Sequence, residues 1–588
     1  MISRRALLGM TLAGAALGRR RRDSPEPGQG DGGLQVEREW SAPFLRTRLV
    51  NRSAVPVPVH DVVVYEQTLA LPPQTALYGE GFQMLSQTTG TMANPGDLSQ
   101  YTDAAHYRIP TSGAEARAYY GLLILTPPGG GDTRLWGFTS CARFSGRFEI
   151  AASTVRAIAD CEGLSLGPGE SWPLEELMVA TSADRSALLH DLAARLATHH
   201  PPPKSAQPPT GWCSWYCFGA GVTAQQVLDN LDTIAGAMPA LKYIQIDDGY
   251  QRAIGDWLDT GPAFGGSVRT VLAEIRKRGF QPAIWVAPFV AEAQSEVFQR
   301  HPNWFIRDAD ETPLRSDRVT FGGWRRGPWY ALDGTHPGVQ AHFERVFRTM
   351  REEWGCTYFK LDANFWGAMH GGRFSDPHAT RIEAYRRGMT AIARGAGDGF
   401  LLGCNHPIWP SVGAIHGSRS SNDIKRSWDR ISTTARQNLS RNWQNGRLWW
   451  NDPDAVVLSS GLTDAECQFH ATAIYATGGM VLSGDDLTKL PAARAAMLRK
   501  LLPPTGVAAV FDDDELRVGR MTLVDAQMIC LFNWADAASG FDVSLDPRAN
   551  RTIGRVSDFW SGESVAQRDG RITMTLPARS ARLLRAGA

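Results

Sequence analysis

The chain has 588 residues, 43% hydrophobic and 21% charged, which is too many for a single hydrophobic core, so two to four domains are expected. Its 61 Lys and Arg balance 60 Asp and Glu for a net charge of +1, and the basic excess of a nucleic-acid binder is excluded. Eight scattered cysteines without CxxC pairs exclude a dense disulfide scaffold, leaving one or two bridges open with Cys213 and Cys217 as one candidate pair.

In chain order, Met1-Ile2-Ser3-Arg4-Arg5 leads into an apolar run that ends at Gly18. Twin arginines before about a dozen apolar residues read as a bacterial twin-arginine export signal, too short for an ordinary membrane span. A periplasmic or secreted location follows as the expectation, although Arg19–Arg22 stands where a clean small-residue cleavage site is wanted. Residues 1–33 are therefore export signal plus a Pro/Gly/charge-rich linker expected to be disordered. Residues 34–200 carry β-branched and aromatic runs bounded by turn residues (46–50, 55–65, 119–125, 144–151, 172–181) and predict a β-sandwich. A helix over Arg185–His199 and the run Pro201-Pro202-Pro203 then lead to the next domain.

Residues 205–505 alternate between two patterns. Short apolar runs at 210–216, 241–250, 281–289, 358–362, 400–405, 414–419, 447–452 and 480–486 read as strands. Helix-period stretches fall at 223–237, 267–279, 337–354, 379–395, 463–476 and 490–502. Strands alternating with helices predict a parallel sheet, and eight units predict a (β/α)8 TIM barrel with its site at the C-terminal strand ends. No Gly-rich dinucleotide fingerprint follows any strand, which disfavours a doubly wound sheet. Short strands return over 507–588 and suggest a small C-terminal β-sandwich.

Polar residues fall where a barrel places its chemistry. Tyr358-Phe359-Lys360-Leu361-Asp362 ends on a lysine and a carboxylate that alternation puts on one side. A cation beside Asp362 favours its ionised form, as a nucleophile requires, with a structural ion pair as the alternative. Asp423, beyond the sixth strand, supplies a second carboxylate that must start protonated and so needs a raised pKa; its alternative is a helix N-cap. Asp247 and Asp248 can both reach a ligand only if their strand has ended, and calcium-loop spacing is missing. The 19 Trp include Trp212, Trp215, Trp257, Trp285 and Trp366 at strand ends, where broad apolar faces suit sugar rings. Without HExxH, EF-hand or Cys/His zinc spacing, no metal or other cofactor is predicted. His370 and His378 sit in a Gly-rich stretch that reads as an exposed loop.

Gly211-Trp212-Cys213-Ser214-Trp215-Tyr216, Ile246-Asp247-Asp248-Gly249-Tyr250, Gly255-Asp256-Trp257, Ala283-Ile284-Trp285-Val286-Ala287-Pro288-Phe289, His301-Pro302-Asn303-Trp304, Leu332-Asp333-Gly334-Thr335-His336-Pro337, Lys360-Leu361-Asp362-Ala363-Asn364, Gly403-Cys404, Arg419-Ser420-Ser421-Asn422-Asp423 and Asn451-Asp452-Pro453-Asp454 occur in this order. Together they resemble glycoside hydrolase family 36, the retaining α-galactosidases of the melibiase clan, across roughly 205–505. The resemblance implies Asp362 as nucleophile and Asp423 as acid/base, with Asp247 and Asp248 holding the 4- and 6-hydroxyls. It further implies Lys360, Arg419 and Asn364 as hydroxyl binders, Trp215, Tyr216 and Trp285 as pocket walls, and Cys404 at the rim. The run Asn405-His406-Pro407-Ile408-Trp409 departs from the family, where a small residue such as Gly follows the cysteine. Ser418, Ser420 and Ser421 crowd the approach to Asp423, and these loops are expected around the sugar's 2-substituent. The expected substrates are α-galactoside oligosaccharides or glycans, with α-N-acetylgalactosaminides as the alternative. A galactosyl transferase and a non-catalytic carbohydrate binder are further alternatives. No nucleic-acid partner or integral membrane segment is expected, and the oligomeric state stays open.

Overall fold

The computed structural model describes residues 33–111, 117–151, 153–545 and 554–587. The twin-arginine segment and the linker up to Gln29-Gly30-Asp31-Gly32 lie outside the described residues. The chain is multidomain, with a central (β/α)8 barrel between an N-terminal β-sandwich and a small C-terminal β-domain.

Eight short strands build the barrel: β1 (Thr210–Cys213), β2 (Tyr243–Ile246), β3 (Gln281–Val286), β4 (Tyr358–Leu361), β5 (Phe400–Gly403), β6 (Gly417–Arg419), β7 (Trp450–Asp452) and β8 (Val481–Ser483). Their order in the sheet is β7-β6-β5-β4-β3-β2-β1-β8, and every pairing is parallel. At the seam between β7 and β8 the Met480 amide donates to the Asn451 carbonyl at 2.8 Å, and Val456 bridges Ser483. Helices cover the outside and the barrel interior is filled, so the strands are apolar on both faces. Ile244, Ile246, Ile284, Phe359 and Leu361 are all fully buried.

The covering helices are α1 (Ala224–Ala237), α2 (Val268–Lys277), α3 (Pro337–Arg348), α4 (Arg381–Ala396), α5 (Trp428–Ser440), α6 (Asp464–Thr477) and α7 (Ala492–Lys500). Capping boxes at Thr223/Gln226, Thr380/Glu383 and Thr463/Glu466 start α1, α4 and α6, satisfying amides that no helical carbonyl can reach. Helix α5 is foreshadowed in the sequence only by the N-cap alternative for Asp423 and not by a helix-period stretch: its composition is polar, and only Ile431, Ala435 and Leu439 supply buried apolar contacts at helical spacing.

Two connections depart from regular alternation. Between β3 and β4 the chain makes a long excursion pinned by the antiparallel pair Val290–Glu292 with Trp329–Ala331. Between β5 and β6 only a four-residue turn, Ile408–Ser411, stands where a helix belongs. Pro407 and Pro410 cannot donate backbone hydrogen bonds, and the segment docks on the sandwich instead. There the Met84 and Ile408 amides donate to the His406 and Phe82 carbonyls at 3.0 and 2.8 Å, and the Trp409 indole donates to the Phe138 carbonyl at 2.7 Å. The Trp409 ring lies so close to Gly121 that a Cβ there would sit 2.0 Å from it, with φ at +73°.

The sandwich pairs a nine-stranded antiparallel sheet, running from Leu34–Ser41 to Pro95–Asp97, with a four-stranded one made of Val57–Thr68, Thr154–Leu166, Ser145–Ala151 and Ala118–Tyr120. Two expected strands are interrupted: 119–125 breaks at Gly121, and 172–181 divides into Ser171–Pro173 and Leu177–Ser182. The helix Arg185–His199 forms as expected, capped by Asp184. In the C-terminal domain a five-stranded sheet leans on α6, where Gln468 donates to the Ala581 carbonyl at 2.9 Å and the Trp560 indole to Thr472 at 2.9 Å. No helix among the described residues is long and apolar enough to cross a membrane. All eight cysteines are free, including the candidate pair: the Cys217 thiol lies 3.9 Å from the Cys213 carbonyl oxygen.

Candidate functional site

The site is built at the C-terminal ends of the barrel strands. Asp362 follows β4 directly and is 8% exposed. Its Oδ2 accepts from the Trp285 indole at 3.0 Å. Its Oδ1 accepts from the Asn405 side-chain amide at 2.8 Å and from the Ala363 amide at 2.7 Å. Ala363 turns the chain with φ at +54°, a conformation that costs a non-glycine residue free energy and is tolerated where function needs it. Three hydrogen-bond donors thus converge on one buried carboxylate.

Lys360 does not serve Asp362 as the spacing suggested. Its ammonium is 2.9 Å from Asp247 Oδ2, and both side chains are almost fully buried. Burial opposes the lysine's charge, but Asp247 first and Asp362 among the others raise its pKa well above the usual value. Asp247 also accepts from Gln245 at 2.6 Å, and its own backbone amide is held by the Ser214 hydroxyl at 2.9 Å. Strand β2 ends at Ile246, so the two aspartates are free of strand alternation, and Gly249 turns the chain at φ +127°. Asp248 accepts from Gln251 at 2.6 Å and from both Nε and Nη2 of Arg325, the former at 3.2 Å. Burial pushes its pKa up, and Arg325 pulls it back.

Arg419 closes β6 with a side chain only 1% exposed. A single nitrogen, Nη2, reaches Asp423 Oδ1 at 2.8 Å, the Tyr216 hydroxyl at 3.2 Å and Asp454 Oδ2, while Nη1 lies 3.8 Å from the Cys404 sulfur. Asp423 has a side chain 60% exposed and is no N-cap: Ser427 occupies that position of α5. Its pKa is lowered, against the expectation of a raised one. Desolvation raises it, but the Arg419 and Lys360 cations and hydrogen bonds from Arg419 and Tyr216 outweigh that cost. Cys404 lies between the two halves of the site. Burial pushes its thiol pKa well up, with Asp362 and Asp423 both contributing, so the sulfur is a neutral thiol.

The other expected residues divide. Trp285 touches Asp362, and Tyr216 donates to Asp454 at 2.5 Å. Trp215 is half-buried beside them. Asn364 is not brought in: it is fully buried and its amide faces the Tyr385 phenol of α4. Of the five strand-end tryptophans, Trp212, Trp257, Trp285 and Trp366 are at most 2% exposed. They serve as packing behind the site rather than as open faces, and the Trp212 indole is spent on the Asp485 carbonyl at 2.8 Å. The three serines face inward as well. Ser418 bonds His406 at 2.9 Å, Ser420 donates to Asn438 at 2.6 Å and Ser421 to the Asn422 carbonyl at 3.1 Å; they line no open space. His370 is half-buried rather than exposed and donates to the Tyr107 carbonyl at 3.1 Å, whereas His378 is exposed.

Sequence reading missed Arg325, Asp454 and Tyr107, and it placed Asn405 in a loop around the sugar's 2-substituent rather than on Asp362. Asp454 was visible within Asn451-Asp452-Pro453-Asp454 without a role. Tyr107 enters from the sandwich: it is buried, and burial first, then Asp362, raises its pKa well above the usual value. The same sandwich segment reaches the Asp423 loop, where Asn422 donates to Ser99 at 2.8 Å. Among the described residues no group of three or more His, Cys, Asp or Glu is placed to hold a metal ion.

Residues 237–390 match the family model described as Melibiase, the clan that the ordered motifs implied. An A type blood alpha-D-galactosamine galactosaminidase from Flavonifractor plautii is 28% identical over 205 residues, 33% of this chain and 18% of that protein. A bifunctional alpha-galactosidase/sucrose kinase from Mediterraneibacter gnavus is 25% identical over 161 residues, 26% of this chain and 17% of that protein. The matched stretch thus spans less than a fifth of either relative's length. The fold is similar to that of an alpha-galactosidase from Thermus thermophilus solved with p-nitrophenyl alpha-D-galactopyranoside, at TM-score 0.65 and 23% identity, over 83% of this chain and 95% of that one.

Proposed function

We propose that this protein is a retaining exo-acting α-galactosidase, in which Asp362 attacks the anomeric carbon and Asp423 acts as acid and then base. The carrying observation is the division of labour between the two carboxylates at one barrel mouth. Asp362 is buried and takes three donors, as a nucleophile should. Asp423 is exposed toward the opening, where a leaving group and then water have access. The Melibiase match and relatives named for galactoside chemistry support the reading.

In the first step Asp362 forms a glycosyl ester while Asp423 gives its proton to the departing oxygen. In the second, Asp423 takes a proton from water, which cleaves the ester. In the free protein the Arg419 and Lys360 cations hold Asp423 low; a sugar that engages those cations and covers the carboxyl pushes its pKa back up. Asp247, Asp248 and the buried cations Lys360 and Arg419 are suited to bind the ring hydroxyls by charge-assisted hydrogen bonds.

One relative's name favours a second reading, an amino sugar at C2, with the same mechanism. Initial rates on chromogenic α-galactoside, α-galactosaminide and α-N-acetylgalactosaminide substrates decide between the sugars, and silence on all three would sink the hydrolase reading. Asp362→Ala and Asp423→Ala should each abolish turnover of the preferred substrate with folding intact; full activity in either discards that residue's role. Export follows from the twin-arginine-type segment and is tested by fractionating cells that produce the full chain.

A further inference from the structure

The run Asn405-His406-Pro407-Ile408-Trp409 is where the chain departs from its family pattern, and its members have different tasks. His406 through Trp409 are committed to the sandwich by the contacts described above. The His406 ring is fully buried between Ser411 and Ser418, at 3.0 and 2.9 Å. Asn405 alone turns back to the site. Its carbonyl accepts from the Phe365 amide at 2.7 Å, and the preceding Cys404 amide donates to the Leu361 carbonyl at 2.7 Å, so the backbone is latched on both sides of the side chain. With φ at +42° it occupies the left-handed region, which Asn tolerates better than most non-glycine residues.

We propose, on the reading of Asp362 as nucleophile, that Asn405 is a positioning residue that fixes which oxygen attacks. An ionised carboxylate only accepts hydrogen bonds, so the amide nitrogen of Asn405 must face it. Oδ1 then carries two donors, Asn405 and the Ala363 amide, and is pinned. Oδ2 carries one, the Trp285 indole, and keeps a lone pair for the sugar. The new bond forms from Oδ2 to the anomeric carbon as the glycosidic bond breaks, and the leaving oxygen takes the proton of Asp423. Without Asn405 the carboxylate can rotate about its last bond, and the fraction of encounters with Oδ2 in line falls.

Asn405→Gly removes the donor and relieves the left-handed backbone, so loss of function is separated from misfolding. Two readouts apply: the rate at which a fluorinated galactosyl fluoride labels Asp362, and kcat and KM on substrates with good and poor leaving groups. The expectation is a fall of about 10- to 100-fold in labelling rate and in kcat, the loss of a hydrogen bond to a charged group. KM should change little, and the fall should be equal for both kinds of leaving group. Asn405→Asp should lose more. The acidic limb of its kcat/KM profile should move to higher pH, because two carboxylates in contact resist ionising together.

Unchanged labelling and kcat in Asn405→Gly would overturn the assignment. A loss confined to poor leaving groups would also overturn it, since that pattern belongs to the Asp423 side. If the unaltered protein hydrolyses substrate yet is labelled at another residue, the nucleophile reading fails first and takes this inference with it.

Discussion

Asp423 and Asp454 share one guanidinium nitrogen but sit in different surroundings. Asp454 is 4% exposed and accepts from Tyr216 and from the Ile424 and Ala455 amides at 2.5, 2.7 and 2.7 Å. Burial first, then the negative charges of Asp423 and Asp452, push its pKa to about 6 against the pull of Arg419. Asp454 is thus held high while Asp423, on the same guanidinium, is held low. Asp454→Asn removes a negative neighbour of Asp423 and frees Arg419 to bind Asp423 more closely. Both effects favour ionised Asp423, so the acid form is lost at lower pH. The basic limb of kcat/KM should shift downward, and activity on poor leaving groups should fall more than on nitrophenyl substrates. A profile that superimposes on that of the unaltered protein would remove Asp454 from this role.

At the scale of elements, each feature of the site depends on where a strand stops. Ending β2 at Ile246 frees the Asp247-Asp248 pair, and ending β4 at Leu361 lets Ala363 point its amide at Asp362. Those strand ends were legible because apolar runs stop there and polar residues begin. The four-residue turn after β5 was not, since its prolines and aromatics are explained only by the sandwich they touch. Helix α6, which carries the C-terminal sheet, starts on the Thr463 capping box, with the Glu466 amide donating to Thr463 Oγ1 at 3.2 Å. Thr463→Ala should cost about 1 kcal/mol, read as a lower thermal midpoint at unchanged KM. An unchanged midpoint would mean that the exposed cap contributes nothing once α6 is packed.

Across the whole molecule, sandwich and barrel share one apolar core and a buried ion pair. Arg441 binds Glu80 at 2.6 Å with both side chains at most 2% exposed. It also donates to the carbonyls of Met84 and Ser420 at 2.6 and 3.0 Å, linking the sandwich to the loop that carries Asp423. Glu80→Ala leaves a buried charge unpaired, so a loss of about 3–5 kcal/mol is expected. Denaturant unfolding measures it, and a loss below about 1 kcal/mol, the range of exposed pairs, would show that water replaces the partner.

The linear chain was sufficient for whatever depends on neighbours along it. Hydrophobic period and turn residues specified alternating strands and helices, hence the barrel, and the ordered motifs placed Asp362 and Asp423 beyond strand ends. Which cation meets which carboxylate was decided only by folding. Lys360 is two residues from Asp362 yet pairs with Asp247, and Arg325 crosses from the long excursion to Asp248. Asn364 follows the motif but turns into the core, while Asn405, from the neighbouring strand, reaches the carboxylate. The physical reason is range. Backbone periodicity is set over a few residues, whereas hydrogen bonds and charges act over a few ångströms of space, and only the closed barrel, packed against its sandwich, determines who lies within that distance.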